Sequence, residues 1–393
     1  MSSWPIHKLD EIFEIARGGS PRPIDKFITD DDDGVNWIMI GDASSSSKYI
    51  RHTKKKIRPS GVSKSRLVKP GDFLLTNSMS FGHPYILDTH GCIHDGWLVL
   101  SPKINNVDQD YFYHLLGSPA IFREFERLAA GATVKNLNID LVKSVEVALP
   151  PLDEQKRIAA ILDQADELRH KRQCAIERLT QLSQAIFYEM FGDPSTNPLK
   201  WPLGTIGELA DSTQYGTSGK AGEKGAFAIL RMGNLSTTGE ISLKNLKYIN
   251  FADRDVEKYT VRTGDILFNR TNSPDLVGKT AVYYGDSPIG FAGYLVRLRV
   301  NKTAVPEYIS AFLNSPFGKK VLRGMCKAII GMANINAQEL RSIIIPIPPV
   351  ELQQRYQVKM LAIRAVFDAP MKHKTTLDSL FQAIQNRAFQ GEL

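Results

Sequence analysis

The sequence predicts a mixed α/β chain: two pseudo-repeated heads separated by two long antiparallel helices that form a coiled-coil spacer. Three observations predict it. An internal repeat runs the length of the chain. The first part of each copy has short β-rich runs punctuated by Gly, Pro, Asn and Ser. The second part of each copy is poor in helix breakers and has apolar residues at heptad-like spacing.

The repeat can be read residue by residue. Trp4-Pro5-Ile6 with Leu9 and Glu11-Ile12 returns as Trp201-Pro202-Leu203 with Ile206 and Glu208-Leu209. Gly71-Asp72-Phe73-Leu74 returns as Gly264-Asp265-Ile266-Leu267, and Gly96-Trp97-Leu98-Val99 pairs with Gly293-Tyr294-Leu295-Val296. Ser118-Pro119 returns as Ser315-Pro316, and Asn136-Leu137-Asn138 as Asn334-Ile335-Asn336. Pro150-Pro151, Gln155 and Arg157 return as Pro348-Pro349, Gln353 and Arg355, and Gln184-Ala185-Ile186 with Phe191 as Gln382-Ala383-Ile384 with Phe389. The order is kept throughout, which chance matches do not do.

These landmarks divide the chain into a first head over 1–150, a central helix over 151–192, a second head over 193–347 and a C-terminal helix over 348–393. In the first head, 35–40 and 72–76 read as strands, and 110–130 as a helix closed by Gly131 as its C-cap. The double proline suits a helix start, since proline fits the first turn and not the interior. From there Ile158, Ile161, Ala165, Leu168, Ala175, Leu179, Leu182 and Ile186 recur in steps of three and four, with Arg172 filling a gap. Such a helix is ~60 Å long and ends at Gly192-Asp193-Pro194. The C-terminal copy has Tyr356, Ile363, Val366, Leu377, Leu380 and Ile384, with Pro370 where a kink or short break is expected. Each stripe needs an apolar partner, and pairing the two helices supplies it. Two separate coiled-coil dimers are the alternative, for which an interrupted heptad is poorly suited.

A chain of 393 residues is long enough for two or three domains, and 42% hydrophobic with 23% charged residues excludes a disordered chain. The 49 Lys+Arg against 42 Asp+Glu leave +7, an excess that permits a polyanionic partner without requiring one. No basic and apolar leader opens the sequence and no run approaches ~18 apolar residues, so a cytoplasmic protein without a membrane partner is expected. Cys92, Cys174 and Cys326 are widely separated and odd in number, which fits reduced, buried structural thiols.

Catalytic motifs fail one by one. Gly278-Lys279-Thr280 lacks the earlier glycine of a phosphate-binding loop, where Ser273 stands. His90, Cys92 and His94 have no second ligand pair at zinc-site spacing, so no metal site is expected. Asn197-Pro198-Leu199 departs from the Asn-Pro-Pro-aromatic pattern with which an amino-methyltransferase grips its target. Pro274, Asp275 and Lys279 lack the second acid of a metal-dependent nuclease. No catalytic residue is expected.

The duplicated head, each copy followed by Pro-Pro-x-x-x-Gln-x-Arg, resembles the specificity subunits of type I restriction-modification systems over the whole chain. The sharpest stretches are Leu149-Pro150-Pro151-Leu152-Asp153-Glu154-Gln155-Lys156-Arg157-Ile158, Phe191-Gly192-Asp193-Pro194 before Trp201-Pro202, and the Gly-Asp strand of each head. The resemblance implies a full-length subunit with two target-recognition domains, each reading half of a split double-stranded DNA target. It also implies two modification (adenine methyltransferase) subunits and motor-nuclease restriction subunits as partners. S-adenosylmethionine, ATP and Mg²⁺ would belong to those partners, and this chain would bind no cofactor.

DNA reading asks for positive donors to phosphates and planar groups that reach base edges. In the first head the candidates are Arg17, Ser20 and Arg22 in one loop, Lys54, Lys55, Lys56 and Arg58 in a second, and Asn77, Ser78 and Ser80 after the Gly-Asp strand. In the second head they are Gln214, Tyr215, Thr217, Ser218 and Lys220, and then Asn269, Arg270, Thr271 and Asn272, the counterpart of the Asn77 loop. The same residues also suit a solvated face or plain turns. Asp30 to Asp33 read as a solvated turn, and Trp37, Trp97 and Tyr294 as core in strand-like runs rather than base-stacking groups. Two rival functions remain: a DNA-binding component of another phage-defence complex, and a two-headed scaffold that binds protein.

Overall fold

Two helices dominate the chain, the central helix Leu152–Phe191 of 40 residues and the C-terminal helix Val350–Gln390 of 41. The central helix has the span read from the sequence, follows Pro150-Pro151 and stops at Gly192, whose φ is +77°. The C-terminal helix runs without a break through Pro370, where a break was one of two expectations. Proline removes one donor from the ladder, and the turns on either side keep theirs. The computed structural model describes residues 4–43, 48–77, 82–129, 137–273, 276–326 and 333–393, with all their side chains except those of 129 and 367–375. The chain divides into two compact units, Met1–Gln173 with Lys372–Leu393, and Cys174–Met371. Each unit therefore holds one head and part of both long helices.

In the first unit a five-stranded sheet runs in the order Phe13–Arg17, Trp97–Pro102, Phe73–Thr76, Pro84–Leu87, Tyr49–Ile50. A second runs Ile28–Thr29, Lys55–Ile57, Val35–Ile38, Gly91–Ile93, Arg66–Val68, with Val35–Ile38 and Gly91–Ile93 parallel. The helix expected over 110–130 is two, Gln109–Leu116 and Pro119–Ala129. Proline biases the residue before it away from helical geometry, and Ser118 there caps the second helix by accepting the Ile121 N–H at 3.3 Å. The Gly131 cap lies outside the described residues.

The core of this head continues into both helices. Ile158, Ala159 and Leu162 of the central helix and Phe381 and Ala388 of the C-terminal helix are buried with Phe13, Tyr111 and Phe112. Arg169 pairs with Asp378 at 2.9 Å, Arg157 donates to the Leu393 carbonyl at 2.9 Å, and the Arg169 guanidinium lies 4.4 Å from the Phe381 ring centre. Later residues of one helix meet earlier residues of the other, so within this unit the helices run antiparallel and pair with each other.

The second head repeats the plan with four-stranded sheets, Ala210–Tyr215, Leu295–Val300, Ile266–Asn269, Thr280–Val282, and Lys247–Ile249, Phe227–Leu230, Ile289–Phe291, Thr260–Val261. Its core takes Phe187 and Phe191 from the central helix and Tyr356 from the C-terminal helix, with the Phe191 and Tyr356 ring centres 5.2 Å apart. The heptad seam is thus partly corrected. Leu168 and Leu182 are 55% and 47% exposed, as are Val366 at 60% and Leu380 at 51%, whereas Leu162, Ile176 and Phe187 are buried. The buried stripe follows the heads into which each helix end packs.

Candidate nucleic-acid interface

In each head a glycine lets one strand end pass against a turn. Gly18 donates to the Trp97 carbonyl at 2.9 Å and Gly216 to that of Leu295 at 3.1 Å. A Cβ on Gly18 would strike the His94 carbonyl oxygen, and one on Gly216 that of Ala292. The next residues repeat the match: Gly19 donates to Ile93 at 3.1 Å, and Thr217 to Phe291 at 3.0 Å. Arg17 therefore occupies the place of Tyr215. Counting onward, Ser20 falls with Ser218 and Arg22 with Lys220. The two loops chosen from the sequence are equivalent to each other.

The second pair of loops also matches, one residue away from the sequence pairing. Asn77 N–H donates to Gly96 at 3.1 Å and its carbonyl accepts from Leu137 at 3.1 Å. Arg270 N–H donates to Tyr294 at 3.0 Å and its carbonyl accepts from Ile335 at 2.9 Å. Arg270, not Asn269, is the counterpart of Asn77, and Tyr294 stands where Gly96 stands. This explains a failed expectation. Trp37 and Trp97 are core, but Tyr294 is 53% exposed, because it belongs to the turn before the strand and Leu295 takes the buried place of Trp97.

In the first head the candidates converge on Asp95. Ser20 Oγ donates to its Oδ1 at 2.8 Å, Arg22 Nη2 lies 3.6 Å from Oδ2, and its carbonyl accepts from Arg17 Nε at 3.0 Å and Asn77 Nδ2 at 2.9 Å. The Ser20 hydrogen bond holds the Asp95 carboxyl below the usual carboxylate range, against partial burial. Arg17 and Arg22 keep exposed guanidinium groups beside a groove of about 730 Å³ lined by Ser20, Arg22, Trp37, His94 and Asp95. Asp95 has no signal in the sequence, because a lone acid in a turn is neither a phosphate donor nor an amide that reaches base edges. Ser78 and Ser80 lie outside the described residues.

The lysine run is placed differently from a loop. Lys55 and Lys56 are in the strand Lys55–Ile57, between two neighbours, while Ile57 is fully buried. Lys54, Lys55 and Arg58 are exposed, and no described contact ties them to Asp95. Asp30 to Asp33 are exposed, as a solvated turn requires.

In the second head the Arg270 guanidinium lies 4.8 Å from the Tyr215 ring centre, and the Tyr215 hydroxyl accepts the Ala337 N–H at 2.9 Å. Ser218 and Lys220 are exposed, Thr217 is half-buried with its Oγ1 accepting the Gly219 N–H, and Gln214 donates to the Tyr215 carbonyl. Asn269 and Thr271 are buried. The Asn269 amide donates to Thr271 at 2.9 Å and to Tyr294 at 3.3 Å and accepts from Asn272 at 3.0 Å, so it braces the turn. Asn272 accepts the Ser273 N–H at 2.9 Å. Behind this loop Lys279 donates to the Met232 carbonyl at 2.9 Å, and Lys319 to that of Gly278 at 2.7 Å. Burial pushes Lys319 down to about 8, with Lys279 and Arg323 adding repulsion.

Cys92 is buried in a strand, while Cys174 and Cys326 are only half-buried. His94 Nδ1 accepts the Gly96 N–H at 2.9 Å. Pro274 and Asp275 lie outside the described residues. Among the described residues no three His, Cys, Asp or Glu gather as metal ligands would, and no helix is long and apolar enough to cross a membrane.

Residues 1–178 match the family model of the type I restriction modification DNA specificity domain. The chain is 24% identical over 303 residues to the type I restriction enzyme EcoKI specificity subunit of Escherichia coli K12, covering 72% of this chain and 65% of that protein. It is 25% identical over 306 residues to the StySPI specificity subunit of Salmonella potsdam, covering 73% and 66%. The match thus spans about two thirds of the length of these curated relatives. A crystal structure of a type I restriction-modification S subunit from M. genitalium is similar in fold, with a TM-score of 0.58 at 16% identity over 98% of this chain and 96% of that one.

Proposed function

We propose that this chain, which belongs to the specificity subunits of type I restriction-modification systems, binds duplex DNA and reads a bipartite target, one half with each head. One observation carries the reading. Equivalent loops in the two heads present different groups at matched positions: Arg17 and Arg22 in one stand where Tyr215 and Lys220 stand in the other, and the partly exposed Arg270 of the second stands where the first has the buried Asn77. A common frame with different side chains is what two readers of different sequences need.

In this reading the chain is cytoplasmic, binds no cofactor and performs no chemistry. Two modification subunits bring S-adenosylmethionine, and restriction subunits bring ATP and Mg²⁺. Leu168 and Leu380 in one unit and Leu182 and Val366 in the other are exposed apolar groups of the kind a partner covers. The test is affinity of the full chain for duplex DNA against salt, with mapping of N6-methyladenine in host DNA. Steep weakening with salt and a split methylated sequence are expected. Salt-independent or absent DNA binding would favour the protein-binding scaffold, and methylation without a split target another defence complex.

A further inference from the structure

The planar cation changes strands between the heads. Arg17 stands at the end of the strand Phe13–Arg17 in the first head, where the second has Tyr215. Arg270 follows the strand Ile266–Asn269 in the second head, where the first has Asn77. The two positions are not equally free. Asn77 is 2% exposed and its amide nitrogen is committed to the Asp95 carbonyl. Arg270 is only partly buried: its Nε is buried without a hydrogen-bond partner, and no hydrogen bond among the described residues engages the outer nitrogens of its guanidinium.

Among the described residues, Arg270 is held by its backbone and by a ring contact rather than by hydrogen bonds from its guanidinium. Its backbone N–H and carbonyl are bonded to Tyr294 and Ile335, and its guanidinium rests on Tyr215, whose hydroxyl is in turn fixed by the Ala337 N–H. By contrast Arg299 in the same head spends its fork on Asp265 and Glu257. A guanidinium resting 4.8 Å from an aromatic ring centre, with its outer nitrogens uncommitted among the described residues, is prepared for a planar acceptor pair, and less ordering cost remains to be met on binding. Phosphate would accept such a fork as well. The contact with the Tyr215 ring favours a base edge, because a phosphate contact does not need the guanidinium to be held in place.

We propose that Arg270 is a specificity-determining residue of the second head, donating two hydrogen bonds to O6 and N7 of one guanine in the major groove, with Tyr215 as the platform that sets its plane. This rests on the reading of the chain as a DNA-binding specificity subunit. It adds that the half-site of the second head contains a guanine recognised by this side chain.

The test uses the full chain and a duplex carrying the target mapped by methylation, with each guanine replaced in turn by 7-deazaguanine, which lacks the N7 acceptor. One position is expected to weaken wild-type binding by about 10- to 100-fold. The Arg270→Met variant, which keeps its stem over Tyr215, should lose a similar factor on the unmodified target and nothing further when that guanine is modified. Equal weakening on all duplexes, with the 7-deazaguanine effect intact, overturns the proposal and assigns Arg270 to phosphate. Should the variant not fold, the wild-type scan still decides: no sensitive guanine overturns it. If wild-type chain binds no duplex at all, the parent reading fails with it, an outcome distinct from binding without coupling.

Discussion

The side-chain oxygen of Gln155 accepts the backbone N–H of Asp108 at 2.9 Å, and its amide nitrogen donates to the carbonyls of Asn106 and Pro150, each at 2.9 Å. Gln353 repeats this with the Val305 N–H at 3.1 Å and the Thr303 and Pro348 carbonyls at 3.3 and 2.8 Å. Both glutamines are fully buried. The glutamine of the repeated Pro-Pro-x-x-x-Gln pattern is therefore a structural tie: it fastens the start of each long helix to the loop before the head's own helix.

Replacing Gln155 by leucine leaves a buried N–H and two carbonyls without a side-chain partner, so a loss of about 2–4 kcal/mol is expected. Gln353→Leu should cost a similar amount. Denaturant unfolding of each variant measures it. A loss below about 0.5 kcal/mol at both sites would mean that water replaces the amide and that the tie is dispensable.

The Gly-Asp pair of each head has its own local cause. Gly71 and Gly264 have φ of +92° and +90°, and the carboxylates of Asp72 and Asp265 accept the N–H groups of Lys69 and Arg262 at 2.9 and 3.0 Å. At Gly264 a Cβ meets open space, so Gly264→Ala should cost about 1 kcal/mol through backbone strain alone. At Gly71 it would approach the Gln109 amide, which can swing away, so the cost should be the same or somewhat more. A thermal melt in which Gly264→Ala is neutral would show that this turn relaxes.

Much of this architecture was legible because its signals are local. Double prolines, Gly192, Gly-Asp turns and the buried glutamines write the same instruction twice, and the central helix has its expected span. Local signals do not by themselves fix a spatial register. Pairing Gly96-Trp97 with Gly293-Tyr294 is the better sequence match, yet the ladder aligns Trp97 with Leu295, and this one-residue difference moves Tyr294 from core to surface. Lys55 and Lys56 looked like a loop because charge hides a strand whose one buried member is Ile57. Asp95 could not be found from composition, since its role comes from four groups brought together from distant segments.

That gathering at Asp95 is testable. Asp95→Ala removes the acceptor of Ser20 and the anion beside Arg22 while leaving the carbonyl that holds Arg17 and Asn77. The side chain is about half exposed, so stability should change by less than about 1 kcal/mol. Within the proposed function, recognition of one half-site should relax while the other is read as before, which methylation mapping detects. Unchanged recognition of both half-sites would place Asp95 off the DNA face.

Lys319 makes the stability of its unit depend on pH. Its amine donates to the Gly278 carbonyl and to Asn314 Oδ1 at 3.0 Å, and burial, with repulsion from Lys279 and Arg323, pushes it down to about 8 from an unfolded value of 10.5. Below pH 8 the lysine is charged in both states, and the folded chain carries the full penalty of a half-buried charge. Between pH 8 and about 10.5 the folded chain gives up its proton first, the unfolded chain binds more protons, and stability rises with pH. Relative to Lys319→Met, which cannot titrate, the wild type should therefore gain on the order of 1 kcal/mol between about pH 7 and pH 10, a figure kept low because the group is partly exposed. The comparison cancels the other lysines, which titrate in both proteins. Parallel pH profiles for the two would show that the Gly278 and Asn314 acceptors offset the burial and that Lys319 keeps its proton as an ordinary surface lysine does.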